Sequence, residues 1–204
     1  MLVDKNNYKH VVLDPAAQTV YFENDTFSLD LGAIAKGYVA DEIKKLLIDD
    51  YGITNAIINL GGNVITIGGN PKGEPWKIGI ANPDTPEDAS SPAAIAHVEG
   101  KTLVTSGDYQ RYFESTDGLK YHHILDGHTG YPANNEIKSV SIITETSMDA
   151  DALSTAIFVL GYDDGCALIE SLEDIEAVFI DANNQVTCTN GLGSTITPGV
   201  LPIN

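Results

Sequence analysis

Short apolar runs of four to six residues recur along most of the chain: Thr19–Phe22, Ala56–Asn59, Val64–Ile67, Trp76–Ala81, Ala94–Val98, Leu103–Ser106, Tyr121–Leu125, Ser139–Ile143, Ala177–Ile180 and Gln185–Thr189. Runs of this length, rich in β-branched and aromatic residues, predict strands. The turn signals Gly61-Gly62, Gly68-Gly69-Asn70-Pro71, Asp117-Gly118 and Asn183-Asn184 separate many of them. Three segments carry a helical pattern instead. In Ala33–Asp49 the residues Val39, Ile43, Leu46 and Leu47 recur on one face, with Asp41, Lys44, Lys45 and Asp49 elsewhere. Asp149–Leu160 is a run of good helix formers stopped by Gly161, and Asp163–Leu172 opens on acidic residues as a helix N-terminus prefers. Strands and helices do not alternate regularly, which disfavours a doubly wound parallel sheet. The pattern predicts an α+β fold of largely antiparallel sheets flanked by helices, with Asn82–Pro92 as a surface loop.

Composition narrows the function classes. The 204 residues include 11 Lys+Arg and 29 Asp+Glu, a formal charge of −18, and 43% are hydrophobic. That is core enough for a globular unit, whereas a nucleic-acid binder would gather basic residues on one face. With Arg111 the sole arginine, an anionic ligand must be held by few cations, a metal or backbone amides. No stretch approaches the roughly 18–20 uncharged apolar residues of a membrane span. The start, Met1-Leu2-Val3-Asp4-Lys5, lacks a signal-peptide pattern, so the expectation is a cytosolic chain or one whose leader precedes this numbering. Cys166 and Cys188 match no zinc or redox spacing and are expected to be idle thiols.

Four segments carry candidate chemistry, each with an ordinary structural reading beside it. Leu29–Tyr38 runs from a short strand through small residues into a helix, where free N–H groups and Lys36 could receive an anion; a plain strand-to-helix turn gives the same sequence. Ile58–Asn63 sets Gly61-Gly62 between Asn59 and Asn63, either a hairpin turn or a place to hydrogen-bond a heterocycle or ribose. Tyr121–Pro132 contains His122, His123 and Asp126. Adjacent histidines on a strand point to opposite faces, so one of them could serve as a general base, with Asp126 near enough to orient a neighbour. Asp151 and Thr155 are i and i+4 on a helix, a pair of hard oxygen ligands suited to Mg²⁺ or Ca²⁺. The plainer reading is that Asp149 or Asp151 caps its own helix.

Taken together and in this order, the segments resemble the ApbE family of FAD:protein FMN transferases. The matching pieces are LDLGAIAKGYVAD (29–41), INLGGN (58–63), the W-x-I-G-I-x-x-P run from Trp76 to Pro83, TSGDYQRYF (105–113), HHILDGHTGYP (122–132) and DADALSTAIFVLG (149–161). The resemblance implies one ApbE-like, T-fold-related domain over residues 1–204. It implies Mg²⁺-dependent transfer of the FMN half of FAD to a threonine hydroxyl of a target flavoprotein, with release of AMP. By motif, Asp30 and Lys36 would contact FAD. The carbonyl of Ala33 and the side chains of Asp151 and Thr155 would hold Mg²⁺, and His123 would be the base. Gly127 replaces the family's proline and is expected to loosen its turn. Family members usually carry a further N-terminal portion, and nothing before Val11 resembles it, so the chain is expected to be N-terminally short.

Two rival readings use the same residues: a Mg²⁺-dependent FAD pyrophosphatase, with water in place of the threonine, and a non-catalytic flavin-binding domain. A flavin acceptor site in Gly193–Thr197 is a loose match, better read as a β-type turn. By family analogy the protein is expected outside the cytoplasm, periplasmic or membrane-anchored through an N-terminal lipid absent from this chain.

Overall fold

A computed structural model describes residues 8–25, 28–116 and 120–201; the expected turn at Asp117-Gly118 and the start at Met1–Lys5 lie outside the described residues. Three layers result from two kinds of apolar surface. The middle layer is a six-stranded sheet built from β3 (Ala56–Leu60), β4 (Asn63–Ile67), β7 (Thr102–Gly107), β10 (Ile137–Thr144), β11 (Glu176–Asp181) and β12 (Val186–Cys188). Its order is β12-β11-β10-β7-β4-β3, with every neighbouring pair antiparallel. The central strands read as nearly continuous apolar runs because both faces are covered.

One face packs on a three-stranded antiparallel sheet of β5 (Trp76–Ile80), β6 (Ala94–Val98) and β13 (Ile196–Pro198). Leu103, Ile143, Val178 and Ile180 meet Ile78, Ile80, Ala94 and Ile196 there. The other face packs on α1 (Ala35–Asp49), α2 (Ser147–Leu160) and α3 (Tyr162–Glu170). Val104, Val140, Ile142 and Phe179 meet Ala150, Ile157, Phe158 and Ile169 in that second core. Two small ribbons lie outside the layers: β1 (Val11–Asp14) with β2 (Thr19–Phe22), and β8 (Tyr112–Glu114) with β9 (Lys120–His122). No described helix is long and apolar enough to cross a membrane.

The expected elements appear with shifted ends. The strand expected over Tyr121–Leu125 ends at His122, so His123 lies just beyond it. The helix expected from Ala33 begins at Ala35, and its packing face is not the expected one. Gly37 and Ala40 are its buried residues, while Val39 and Leu46 are 46% and 47% exposed. The reason is closeness: a Cβ at Gly37 would stand 2.2 Å from the Ser147 carbonyl oxygen, so only small residues fit where α1 crosses α2. Gly61 and Gly62 form the two-residue loop of the β3–β4 hairpin with φ of 63° and 98°, a left-handed pair that glycine adopts without strain.

Candidate functional site

The close crossing of α1 and α2 is secured by an exchange of carboxylates. Neither helix is capped by its own N-cap side chain, Ile34 in α1 or Thr146 in α2. Instead the Gly37 N–H, in the first turn of α1, donates to Oδ2 of buried Asp151 at 2.8 Å. In return the Ser147 and Met148 N–H groups donate to the two oxygens of Asp41, each at 2.8 Å. A carboxylate is favourable at a helix N-terminus because it accepts an orphan N–H and opposes the dipole. Asp151 therefore caps α1, not the helix that carries it; Asp149 accepts a hydrogen bond from the Thr146 hydroxyl.

The contact sets Asp151 against the first turn of α1, and α2 carries Thr155 one turn further on. In a regular helix the Gly37 N–H would go to the carbonyl of residue 33. Here it goes to Asp151, and the Ala33 carbonyl, in the turn leading into α1, stays outside the helical ladder. Thr155, one turn beyond Asp151, lies 3.3 Å from the Ser106 hydroxyl and 3.5 Å from the Asp151 carbonyl oxygen. Ser106 also pairs with Ser154 at 2.9 Å, so the end of β7 fixes this turn of α2. A carboxylate, a carbonyl and a hydroxyl suit Mg²⁺ or Ca²⁺ and not a thiophilic metal. Among the described residues no group of three or more His, Cys, Asp or Glu could hold a metal alone. A cation held there would complete its shell with water or with ligand oxygens.

The two adjacent histidines have different surroundings. His122 is buried: its Nε2–H donates to the Ala133 carbonyl at 3.0 Å, its Nδ1 accepts the Ile124 N–H at 3.3 Å, and its ring meets the Phe158 edge. His123 is exposed and lies against the Arg111 backbone, with Nδ1 3.3 Å from the carbonyl oxygen. Partial desolvation lowers its pKa below the usual value, and the charges of Arg111 and Lys36 act in the same direction against the Arg111 hydrogen bond. Lys36 is thus near enough to His123 to be felt by it.

Asp30 is exposed and its Oδ1 accepts the Gly32 N–H at 2.6 Å, which shapes the turn ahead of α1. The Asp126 carboxylate accepts the His128 N–H at 2.8 Å, which lowers its pKa. With the Asp126–Tyr131 and Gly130–Asp126 backbone bonds, each 2.8 Å, that contact closes the turn expected to be loose at Gly127.

On the opposite face of the sheet, at the same end of β7, a cavity of about 550 Å³ is bounded by Asn59, Gly61, Gly62, Gly79, Thr105 and Tyr109, among others. Three of the family-like segments meet in it. Asn59 spends its side-chain oxygen on the Gly62 N–H at 3.0 Å, which supports the turn. Burial and the neighbouring Asp108 push the Tyr109 hydroxyl up to about 12, so it stays a hydrogen-bond donor.

Sequence reasoning missed Gly37 and Asp41 as the residues that join the helices, and Ser106 and the Arg111 backbone as supports for Thr155 and His123. The Gly37–Ala40 spacing of small residues on one helix face was the available signal.

The ApbE family model matches residues 1–179. A relative from Klebsiella pneumoniae called FAD:protein FMN transferase is 42% identical over 178 residues, covering 87% of this chain and 53% of that protein. One from Treponema pallidum with the same name is 40% identical over 185 residues, covering 87% and 50%. The fold matches the crystal structure of an ApbE protein from Thermotoga maritima with a TM-score of 0.81 at 32% identity, over 95% of this chain and 61% of that one. It matches a flavin transferase ApbE from Vibrio cholerae with a TM-score of 0.79 at 28% identity, over 94% and 60%. The chain spans about half the length of the curated relatives it matches.

Proposed function

The chain belongs to the ApbE family, and on that premise we propose that it acts in transfer of the FMN moiety of FAD to a threonine hydroxyl of an acceptor flavoprotein. The observation that carries this reading is the Gly37–Asp151 contact, which brings segments 29–41 and 149–161 to one point. A divalent cation held by Asp151, Thr155 and the Ala33 carbonyl, Mg²⁺ by its donor chemistry, would neutralise charge on the two phosphates. Lys36 would add a positive charge beside them, and Asp30 would anchor the flavin nucleotide through its free oxygen.

His123 takes the role of base. A backbone carbonyl can only accept, so the Arg111 carbonyl fixes the proton on Nδ1 and leaves Nε2 as the acceptor. Nε2 removes the proton from the threonine hydroxyl, whose oxygen forms a bond to the phosphorus on the FMN side. The bond from that phosphorus to the bridging oxygen breaks, and AMP leaves with its electron pair.

The exposure of His123 favours a second reading, in which water replaces the threonine and the products are FMN and AMP. One experiment tests both: incubate the protein with FAD, Mg²⁺ and a candidate acceptor domain, then measure intact masses and free nucleotides. Transfer adds one FMN to the acceptor in step with AMP. Free FMN with no change in acceptor mass selects hydrolysis. Flavin binding without either product selects a non-catalytic domain.

A further inference from the structure

Asn63 opens β4 with 1% of its surface exposed, and neither its amide nitrogen nor its amide oxygen has a hydrogen-bond partner among the described residues. An unpaired buried amide is costly, and in a native fold it marks a place where a water, ion or ligand is received. Strand register shows where the amide faces. Asn63 pairs with Val104 and Ile65 with Thr102, so these rungs share the sheet face that the helices cover. Thr102 lies under the first turn of α2, its hydroxyl 3.2 Å from the Ser147 hydroxyl. Ser106 lies under Ser154 and Thr155, two turns further along. The rung between them, Asn63 with Val104, therefore falls at the level of Ala150 and Asp151. Since β4 lies on the α1 side of β7, the amide faces the junction where Asp151 meets Gly37.

We propose that Asn63 is a positioning residue for the divalent cation at Asp151, its side-chain oxygen accepting a hydrogen bond from the cation's hydration water. This inference rests on the reading that Asp151 holds such a cation. The Gly61-Gly62 turn, which fixes where β4 begins, then sets the cation's outer shell as well as the hairpin.

The test is Mn²⁺ titration of the full chain without flavin, following the free-ion electron paramagnetic resonance signal, with thermal melting measured in metal-free buffer. Asn63→Leu should weaken Mn²⁺ binding about tenfold or more, the usual effect of losing an outer-shell partner. Its melting temperature should stay level or rise, because an unpaired buried polar group has been removed. Asn63→Asp keeps an oxygen in place and should bind Mn²⁺ at least as tightly as wild type. Equal dissociation constants for wild type and Asn63→Leu overturn the proposal, as does an Asn63→Asp variant weakened as much as Asn63→Leu. If wild type and Asp151→Asn alike show no saturable Mn²⁺ binding, the cation reading of Asp151 itself has failed.

Discussion

Nδ1 of His123 lies 3.3 Å from the Arg111 carbonyl oxygen, while the Lys36 charge acts on the same imidazole. The base and the cation proposed for the phosphates are therefore electrostatically coupled. Because desolvation and nearby positive charge lower the His123 pKa, the unprotonated base persists to a lower pH than an ordinary histidine would. The rate should hold through neutrality and fall as pH drops through that lowered value, below the usual 6.5 or so. Lys36→Met removes one of the lowering charges, so its acid limb should move toward higher pH. An acid limb that stays in place in this variant would separate the two residues.

The neighbouring histidines should fail in different ways. His123→Ala should reduce turnover by about 10²–10⁴-fold with little change in melting temperature. His122→Ala removes a buried ring with both nitrogens engaged, and should cost about 2 kcal/mol of stability by urea denaturation. The two variants, compared by activity and by unfolding, should swap order between the assays.

Asp151→Asn offers a clean separation of charge from capping. The amide oxygen can still accept the Gly37 N–H, so the melting temperature should change little. Turnover should be lost at ordinary Mg²⁺ and partly restored by high Mg²⁺ or by Mn²⁺. Asp151→Ala also loses the acceptor and should unfold about 1 kcal/mol more easily. A fully active Asp151→Asn variant would reduce the residue to a cap.

Gly37→Ala tests the helix crossing itself. Its new Cβ would stand 2.2 Å from the Ser147 carbonyl oxygen and 2.7 Å from the Met148 Cα, backbone atoms that cannot swing aside. Relief requires the helices to part, at a cost of about 3 kcal/mol in denaturant titration. Activity should fall with it, since parting α1 from α2 takes the Ala33 turn away from Asp151.

Much of the fold could be read in the sequence, because strand length, glycine turns and helix formers are local signals. The central strands from Ala56 to Ile180 appear close to their expected bounds. Short strands whose pairing is decided by tertiary context escaped notice: Val11–Asp14, Tyr112–Glu114 and Ile196–Pro198, the last an edge strand where proline is tolerated. The packing face of α1 was misread for a physical reason. Periodicity weighs large apolar residues such as Val39 and Leu46, but a crossing this close is made by Gly37 and Ala40. The candidate residues Asp30, Lys36, His123, Asp151 and Thr155 lie in motifs that the sequence displays. Their meeting was legible only through the family resemblance, which joins segments 29–41 and 149–161; Gly37 and Asp151 are 114 residues apart and nothing local in either segment names the other.

The borrowed cap on α1 bears on how the protein comes off the ribosome. Fifteen residues is near the length at which an isolated helix is marginal in water, and Ile34 offers α1 no side-chain acceptor of its own. Its stabilising carboxylate is translated 114 residues after Gly37, and α2 in turn finds its acceptor on the helix already made. Only α1 thus emerges lacking its partner, because the acceptor for α2, Asp41, has been made before it. The Gly37 cap can form only after Asp151 has cleared the exit tunnel, so the order of the chain makes the joining of the two helices late in synthesis.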